Sequence, residues 1–267
     1  MKHSRTQIVA TLGPATHDKR IIHELIMHQV DVVRLNFSWG THEDHAHYIK
    51  TVREVAVEEK RRIPIIQDLS GPRVQESSGH HFAGGAGEAL TVKDLEDLKF
   101  GIAQGVEYVA MSYVGGADDI KKLKLVIKAM KGRAKVIAKI ERQVAIDKFA
   151  EILKVSDAIM IARGDMGNEV PLEQIPFVEH DLIVACKKAK KPVITATQML
   201  VSMVESPTPT RAEVTDIAYA IIAGSDAVML SEETARGKYP VEAVSVMERV
   251  SVEAESHHVG KLRINRL

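Results

Sequence analysis

Short apolar runs alternate with amphipathic stretches along all 267 residues. The runs fall at 6–13 (TQIVATLG), 30–37 (VDVVRLNF), 62–69 (RIPIIQDL), 106–114 (VEYVAMSYV), 135–141 (KVIAKIE), 158–163 (AIMIAR), 192–198 (PVITATQ) and 226–232 (DAVMLSE). They are rich in Val, Ile and Ala and carry few polar residues on either face, the composition of strands buried on both sides. Helical periodicity follows each one, at 17–28, 42–59, 91–104, 117–131, 142–154, 172–189, 209–223 and 240–256. Eight strand-then-helix units predict parallel strands, and about eight such units close into a (β/α)8 TIM barrel. An open doubly wound sheet is the architectural alternative. The turn after the first run, LGPATHD, has the wrong glycine spacing for dinucleotide binding. The expected organisation is a single barrel over 1–267.

The pattern breaks at 70–90, SGPRVQESSGHHFAGGAGEAL, between the third strand and its helix. A Gly- and Ser-rich segment there reads as an elaborated loop, where a barrel carries its functional insertions. The adjacent His80 and His81 read as loop residues, since metal binding needs more ligands at suitable spacing.

Composition narrows the function classes. The net charge is zero, which points away from nucleic acid and anionic membranes. No apolar run reaches the length of a membrane span, and the N-terminus lacks signal-peptide architecture. Cys186 is the only cysteine and falls on the apolar side of a helix, so it is expected to be a core thiol. A soluble, cytoplasmic protein acting on small molecules is expected, with the oligomeric state open.

The candidate chemistry lies at the strand ends. In a barrel of this class, polar residues at the C-terminal ends of the strands form the active face. The second strand ends in Arg34, Asn36 and Ser38, on alternate positions and so on one side. Asp68 ends the third, and Lys139 with Glu141 the fifth. The sixth runs into Arg163, Gly164, Asp165 and Gly167. The seventh ends in Thr195, Thr197 and Gln198, and the eighth in Ser231, Glu232 and Glu233. Each charge by itself could belong to a salt bridge on the rim. Six strands in succession point instead to a site, because charges in an α/β core are costly unless paired or liganded. Glu141 and Asp165 are hard carboxylates on adjacent strands that leave positions for water and substrate oxygens, as Mg2+ prefers. Lys139 and Arg34 add positive charge for an anionic group. Gly164 and Gly167 allow the backbone to approach a ligand. The implied ligand is a small acid bearing a carboxylate, a phosphate, or both.

Taken in order, IVATLGPAT, VVRLNFSWG, QDLSGPR, LTVKDLEDLKFG, AKIER, IMIARGDMGNEVP, ITATQMLVSM and PTRAEVTDIAYAIIAGSDAVMLSEETARGKYPVEAV resemble motifs of the pyruvate kinase family. The resemblance implies a barrel of the phosphoenolpyruvate/pyruvate type and phosphoryl transfer from phosphoenolpyruvate to ADP. It implies that Arg34 and Lys139 hold the transferring phosphate and that Glu141 and Asp165 bind Mg2+ (or Mn2+). Ala162, Gly164 and Asp165 would form the turn accepting the substrate carboxylate, and Thr197 the hydroxyl near the carbon that gains a proton. Asn36, Ser38 and Asp68 would match a monovalent-cation (K+) site.

Several positions depart from that family. The segment 75–90 stands where the family inserts a lid domain after the third strand, and little chain follows GKYPVEAV where the family has a regulatory domain. Trp39 stands where the family has His, and Gln75 where it has a phosphate-binding Arg. Arg73 follows Gly71–Pro72, where K+-requiring members carry Glu. Its guanidinium either replaces the mobile cation or is merely solvated. Glu232 replaces a Gly of the motif SGET. The expectation is a lidless, pyruvate-kinase-type barrel. The alternatives are Mg2+-dependent enolising or lyase activity on pyruvate-like acids, and a catalytically silent barrel.

Overall fold

The computed structural model describes residues 3–76, 79–82, 89–257 and 264–267. Eight parallel strands close into a barrel in the order β1 (Gln7–Leu12), β2 (Val30–Asn36), β3 (Ile65–Asp68), β6 (Tyr108–Met111), β7 (Lys135–Ile140), β8 (Ala158–Ala162), β9 (Val193–Ala196) and β10 (Ala227–Leu230), which pairs back onto β1. The open-sheet alternative is thereby excluded. Around the barrel lie α1 (Lys19–Met27), α2 (His42–Glu58), α3 (Val92–Ala103), α4 (Ala117–Ala129), α5 (Gln143–Asp147), α6 (Phe149–Val155), α7 (Arg163–Met166), α8 (Ile175–Ala189), α9 (Arg211–Ala223), α10 (Glu232–Ala235) and α11 (Pro240–His257). None of these is long and apolar enough to cross a membrane.

Local sequence chemistry sets the helix starts. Thr41 with Asp44, Thr91 with Asp94 and Thr210 with Glu213 each form a reciprocal capping box, which satisfies two orphan N–H groups at the start of α2, α3 and α9. The stretch 142–154, expected as one helix, is two, broken at Lys148. The segment expected as an elaborated loop after β3 contains an antiparallel hairpin, β4 (Arg73–Glu76) against β5 (Gly79–Phe82). The alternation Arg-Val-Gln-Glu was hidden by the surrounding Gly and Ser, and hairpin pairing supplied the order. The side chains of Gln75, His80 and His81 lie outside the described residues.

The core has two shells, as strand alternation requires. Val9, Val32, Ile66, Ala110, Ile137, Met160, Ile194 and Met229 point into the barrel, while Ile8, Ala10, Val33, Ile65 and Ala138 pack outward against the helices. Leu267 from the tail joins the inner shell, and its N–H donates to the Gln7 side chain at 2.9 Å. Gln7 starts β1, so the tail seals the N-terminal end of the barrel. The polar strand ends lie at the opposite end.

Candidate active site

The inward-facing row of each strand changes character toward its C-terminal end. Val9 is followed on the same face by Thr11, Val32 by Arg34, Ile66 by Asp68, Ala110 by Ser112 and Ile137 by Lys139, then Glu141. The inner apolar shell therefore passes directly into a polar layer at the mouth, as the two-residue period requires.

Those side chains form one network. Asp68, 1% exposed, sits between two cations. Its Oδ2 lies 2.6 Å from Arg34 Nε and its Oδ1 3.1 Å from Lys139 Nζ. Arg34 also donates to Thr11 Oγ1 at 3.1 Å. Lys139 Nζ donates to Ser112 Oγ at 2.7 Å and lies 2.8 Å from Glu141 Oε1. Glu141 Oε2 accepts the Tyr113 N–H at 2.7 Å, while Oε1, despite its ion pair, has no hydrogen-bond partner of good geometry. Ser112 and Thr11 were not singled out by the sequence reading. A Ser or Thr continuing an inward apolar row is the signal that would have found them.

Charge follows from this packing. Burial favours the neutral form of Asp68, but Arg34 and Lys139 outweigh it and hold its carboxyl below the usual range. Burial likewise opposes the Lys139 ammonium, yet Asp68 and Glu141 raise it above its ordinary value, so it is a fixed cation at neutral pH. Glu141 goes the other way. Burial, and to a lesser degree the nearby Asp165 charge, push its carboxyl up in spite of Lys139. A buried carboxyl pushed up beside a second acidic side chain is an arrangement that an additional cation would relieve.

Across the mouth, β9 ends in strained backbone. Thr197 and Gln198 have φ of 68° and 57°, left-handed values that are costly for a β-branched residue such as Thr. Thr195, expected on the active face, bonds instead to Ser225 behind the strand. The left-handed turn re-aims the chain so that Thr197 Oγ1 accepts the Gly164 N–H at 2.7 Å. A Cβ on Gly164 would lie 3.3 Å from that oxygen. Arg163 points away from the mouth. It donates to Asp216 Oδ1 at 2.7 Å, to Glu179 Oε2 at 3.2 Å and to the Thr197 carbonyl at 2.9 Å.

Other expected positions resolve plainly. Asn36 Oδ1 accepts the Ser38 N–H at 3.2 Å, and Ser38 Oγ is buried without a partner. Arg73 Nε donates to the Ser70 carbonyl at 3.1 Å. Trp39 is exposed. Glu232 pairs with Arg236 at the surface, while buried Glu233 accepts the Leu200 and Ser231 N–H groups and braces the loops after β9 and β10. Neither acid faces the mouth network. Cys186 is fully buried, and burial pushes its thiol up to about 12. Among the described residues no three His, Cys, Asp or Glu side chains gather as a self-sufficient metal cage.

The fold and site together define a (β/α)8 barrel whose strand ends carry a buried cation–carboxylate network opposite a strained hydroxyl. A family model described as "Pyruvate kinase, barrel domain" matches residues 3–88 and 83–244. Pyruvate kinase 2 of Synechocystis is 35% identical over 340 aligned positions, which cover 96% of this chain and 58% of that protein. A pyruvate kinase of Staphylococcus aureus is 36% identical over 334 positions, covering 94% of this chain and 57% of the relative. The chain belongs to the pyruvate kinase family, and it spans less than three-fifths of the length of these relatives. Because 340 positions align with a chain of 267 residues, the Synechocystis protein holds at least 73 residues within the matched span that have no counterpart here. The match to the family model divides at 83–88, just after the β4–β5 hairpin.

Proposed function

We propose that this barrel catalyses phosphoryl transfer from phosphoenolpyruvate to ADP, with Mg2+ held between Glu141 and Asp165. The observation that carries this reading is the buried array in which Asp68 fixes Arg34 on one side and Lys139 on the other, with Lys139 also within ion-pair distance of Glu141. Two permanently charged donors held against a dry wall are prepared to accept a phosphoryl group, and phosphoryl transfer depends mainly on positioning and electrostatics. In the reaction the bond between phosphorus and the substrate's enol oxygen breaks and a bond to a terminal oxygen of ADP forms. The three-carbon acid then takes up a proton to give pyruvate. Thr197 Oγ1, held by the Gly164 amide, is the hydroxyl assigned to orient that proton transfer. The turn Ala162–Gly164–Asp165 receives the substrate carboxylate.

The residues fit a magnesium ion. Glu141 Oε1 has spare acceptor capacity, and two hard carboxylates leave the remaining positions to substrate and water, as Mg2+ favours. When bound, the ion supplies positive charge to the substrate oxygens. The fit for K+ is poorer. Both Asp68 oxygens are already engaged by fixed cations, and Asn36 Oδ1 accepts a backbone N–H. We read Arg73 and this fixed charge as standing in for a mobile cation.

A second reading has its own support. We read the 73 or more residues of the Synechocystis relative that have no counterpart here as the expected lid, with the division of the family match just after the hairpin as support, and Trp39 lies exposed on the side assigned to nucleotide. Without a lid, water is poorly excluded during transfer, so enolisation of pyruvate is expected to survive better than ATP synthesis. A coupled assay for pyruvate formation from phosphoenolpyruvate and ADP tests the first reading, and loss of the pyruvate methyl signal in D2O tests the second. Mn2+ titration of the parent against Glu141→Gln and Asp165→Asn tests the metal assignment independently of turnover. Unchanged Mn2+ affinity in both variants would overturn it.

A further inference from the structure

We propose that Arg163 is a positioning residue that sets the Thr197 hydroxyl by clamping the left-handed turn on which it sits; the catalytic half of this inference rests on the function proposed above. Arg163 opens α7 at the end of β8, but its side chain turns away from the mouth and is 7% exposed. One guanidinium nitrogen reaches Glu179 on α8 and Asp216 on α9, and the other reaches the Thr197 carbonyl and the Met199 sulfur. A single planar fork thus ties two surrounding helices to the loop after β9.

The geometry at the other end of Thr197 gives the clamp its consequence. Thr197 and Gln198 are consecutive left-handed residues, a conformation that persists only where neighbouring contacts over-determine it. The Arg163 bond fixes the Thr197 carbonyl from behind, so the hydroxyl is left facing Gly164, whose N–H it accepts at 2.7 Å. Relaxation of the turn toward ordinary backbone angles would swing Oγ1 off that amide. Lysine at 163 would keep one charge but could not span two carboxylates and a carbonyl, because it is a point donor on a flexible stem.

The test uses the full chain with Arg163→Lys, and with Asp216→Asn as a milder variant that loosens the fork from its partly exposed side. Two readouts are taken: hydrogen-exchange protection of the Gly164 amide, and methyl-proton exchange of pyruvate in D2O as separate kcat and KM. Both variants are expected to lose at least tenfold in Gly164 protection. The kcat should fall ten- to hundredfold while KM stays within twofold, since Arg34 and Lys139 are untouched. In a Thr197→Ala background, Arg163→Lys should cost little further kcat, because it acts through that hydroxyl. Parent-like Gly164 protection in both variants would overturn the proposal, and so would a kcat loss that adds fully to that of Thr197→Ala. If the parent itself shows no exchange above Lys139→Met, the functional reading fails separately, and Gly164 protection still decides whether the clamp exists.

Discussion

Replacing Asp68 by Asn removes one negative charge from the centre of the mouth network with almost no change in shape. Arg34 and Lys139 are then left buried at 7% and 4% exposure, with their shared carboxylate gone and Glu141 facing Lys139 alone. Breaking a buried ion pair by deleting one partner costs about 3–5 kcal/mol. The Asn carbonyl still accepts one hydrogen bond, so about 3 kcal/mol is expected. A melting entropy of roughly 2.1 cal/mol/K per residue gives about 0.56 kcal/mol/K for 267 residues, so Tm should fall by about 5 °C. The assay is thermal unfolding by circular dichroism at pH 7. The pH dependence provides a sign check. Asp68 is held below its ordinary value of 3.8, so its contribution is present above that pH and is lost as pH falls through the lower folded-state value. The gap between parent and Asp68→Asn should therefore close in strong acid. Lys139→Met introduced into Asp68→Asn should cost less than in the parent, because it removes a cation that has already lost one of its two carboxylate partners. A Tm within 1 °C of the parent, or strict additivity of the two substitutions, would refute the claim that Asp68 organises the site.

Three further outcomes are expected. Gly101→Ala, in the last turn of α3, should lower Tm by about 2–5 °C against the usual helix preference, because the new Cβ would lie 2.0 Å from the buried Gln67 side chain, and overpacking costs about 1–3 kcal/mol. Cys186, buried with its thiol pushed up to about 12, should resist an aromatic disulfide reagent at pH 8 and react fully after unfolding. Initial phosphotransfer rates in Na+- and K+-free buffer should rise less than tenfold on adding K+, and a larger rise, equivalent to about 1.4 kcal/mol of transition-state stabilisation, would show that Arg73 and the fixed charges do not replace a mobile ion.

Much of the fold was legible because periodicity is local. Each expected strand overlaps an observed one, since eight β-branched runs can be buried only in a layer covered on both faces. Boundaries moved where particular residues intervened. β3 starts at Ile65, after Pro64, which has no N–H for the ladder, and the helix expected over 142–154 breaks at Lys148. The hairpin after β3 was missed because its strands are only four residues each and sit among Gly and Ser.

The site divides along the same line. Residue type and the two-residue period were enough to place Arg34, Asp68, Lys139 and Glu141 at one end of the barrel, since a strand's inward row is set by counting. Counting misplaced Thr195, and it assigned Glu232 and Glu233 to the active face when one lies at the surface and the other braces loops. Strand ends bend into turns there, and past the last ladder bond alternation no longer dictates direction. That Asp68 bridges two cations, that Arg163 turns its back on the mouth, and that Leu267 packs into the far end of the barrel depend on contacts between residues far apart in the chain. The sequence by itself determined the strand–helix rhythm and the chemistry available at the strand ends, because both depend on neighbours within a few residues. Barrel closure alone decided which of those groups meet, because pairing β10 with β1 fixes the relative position of every strand end at once.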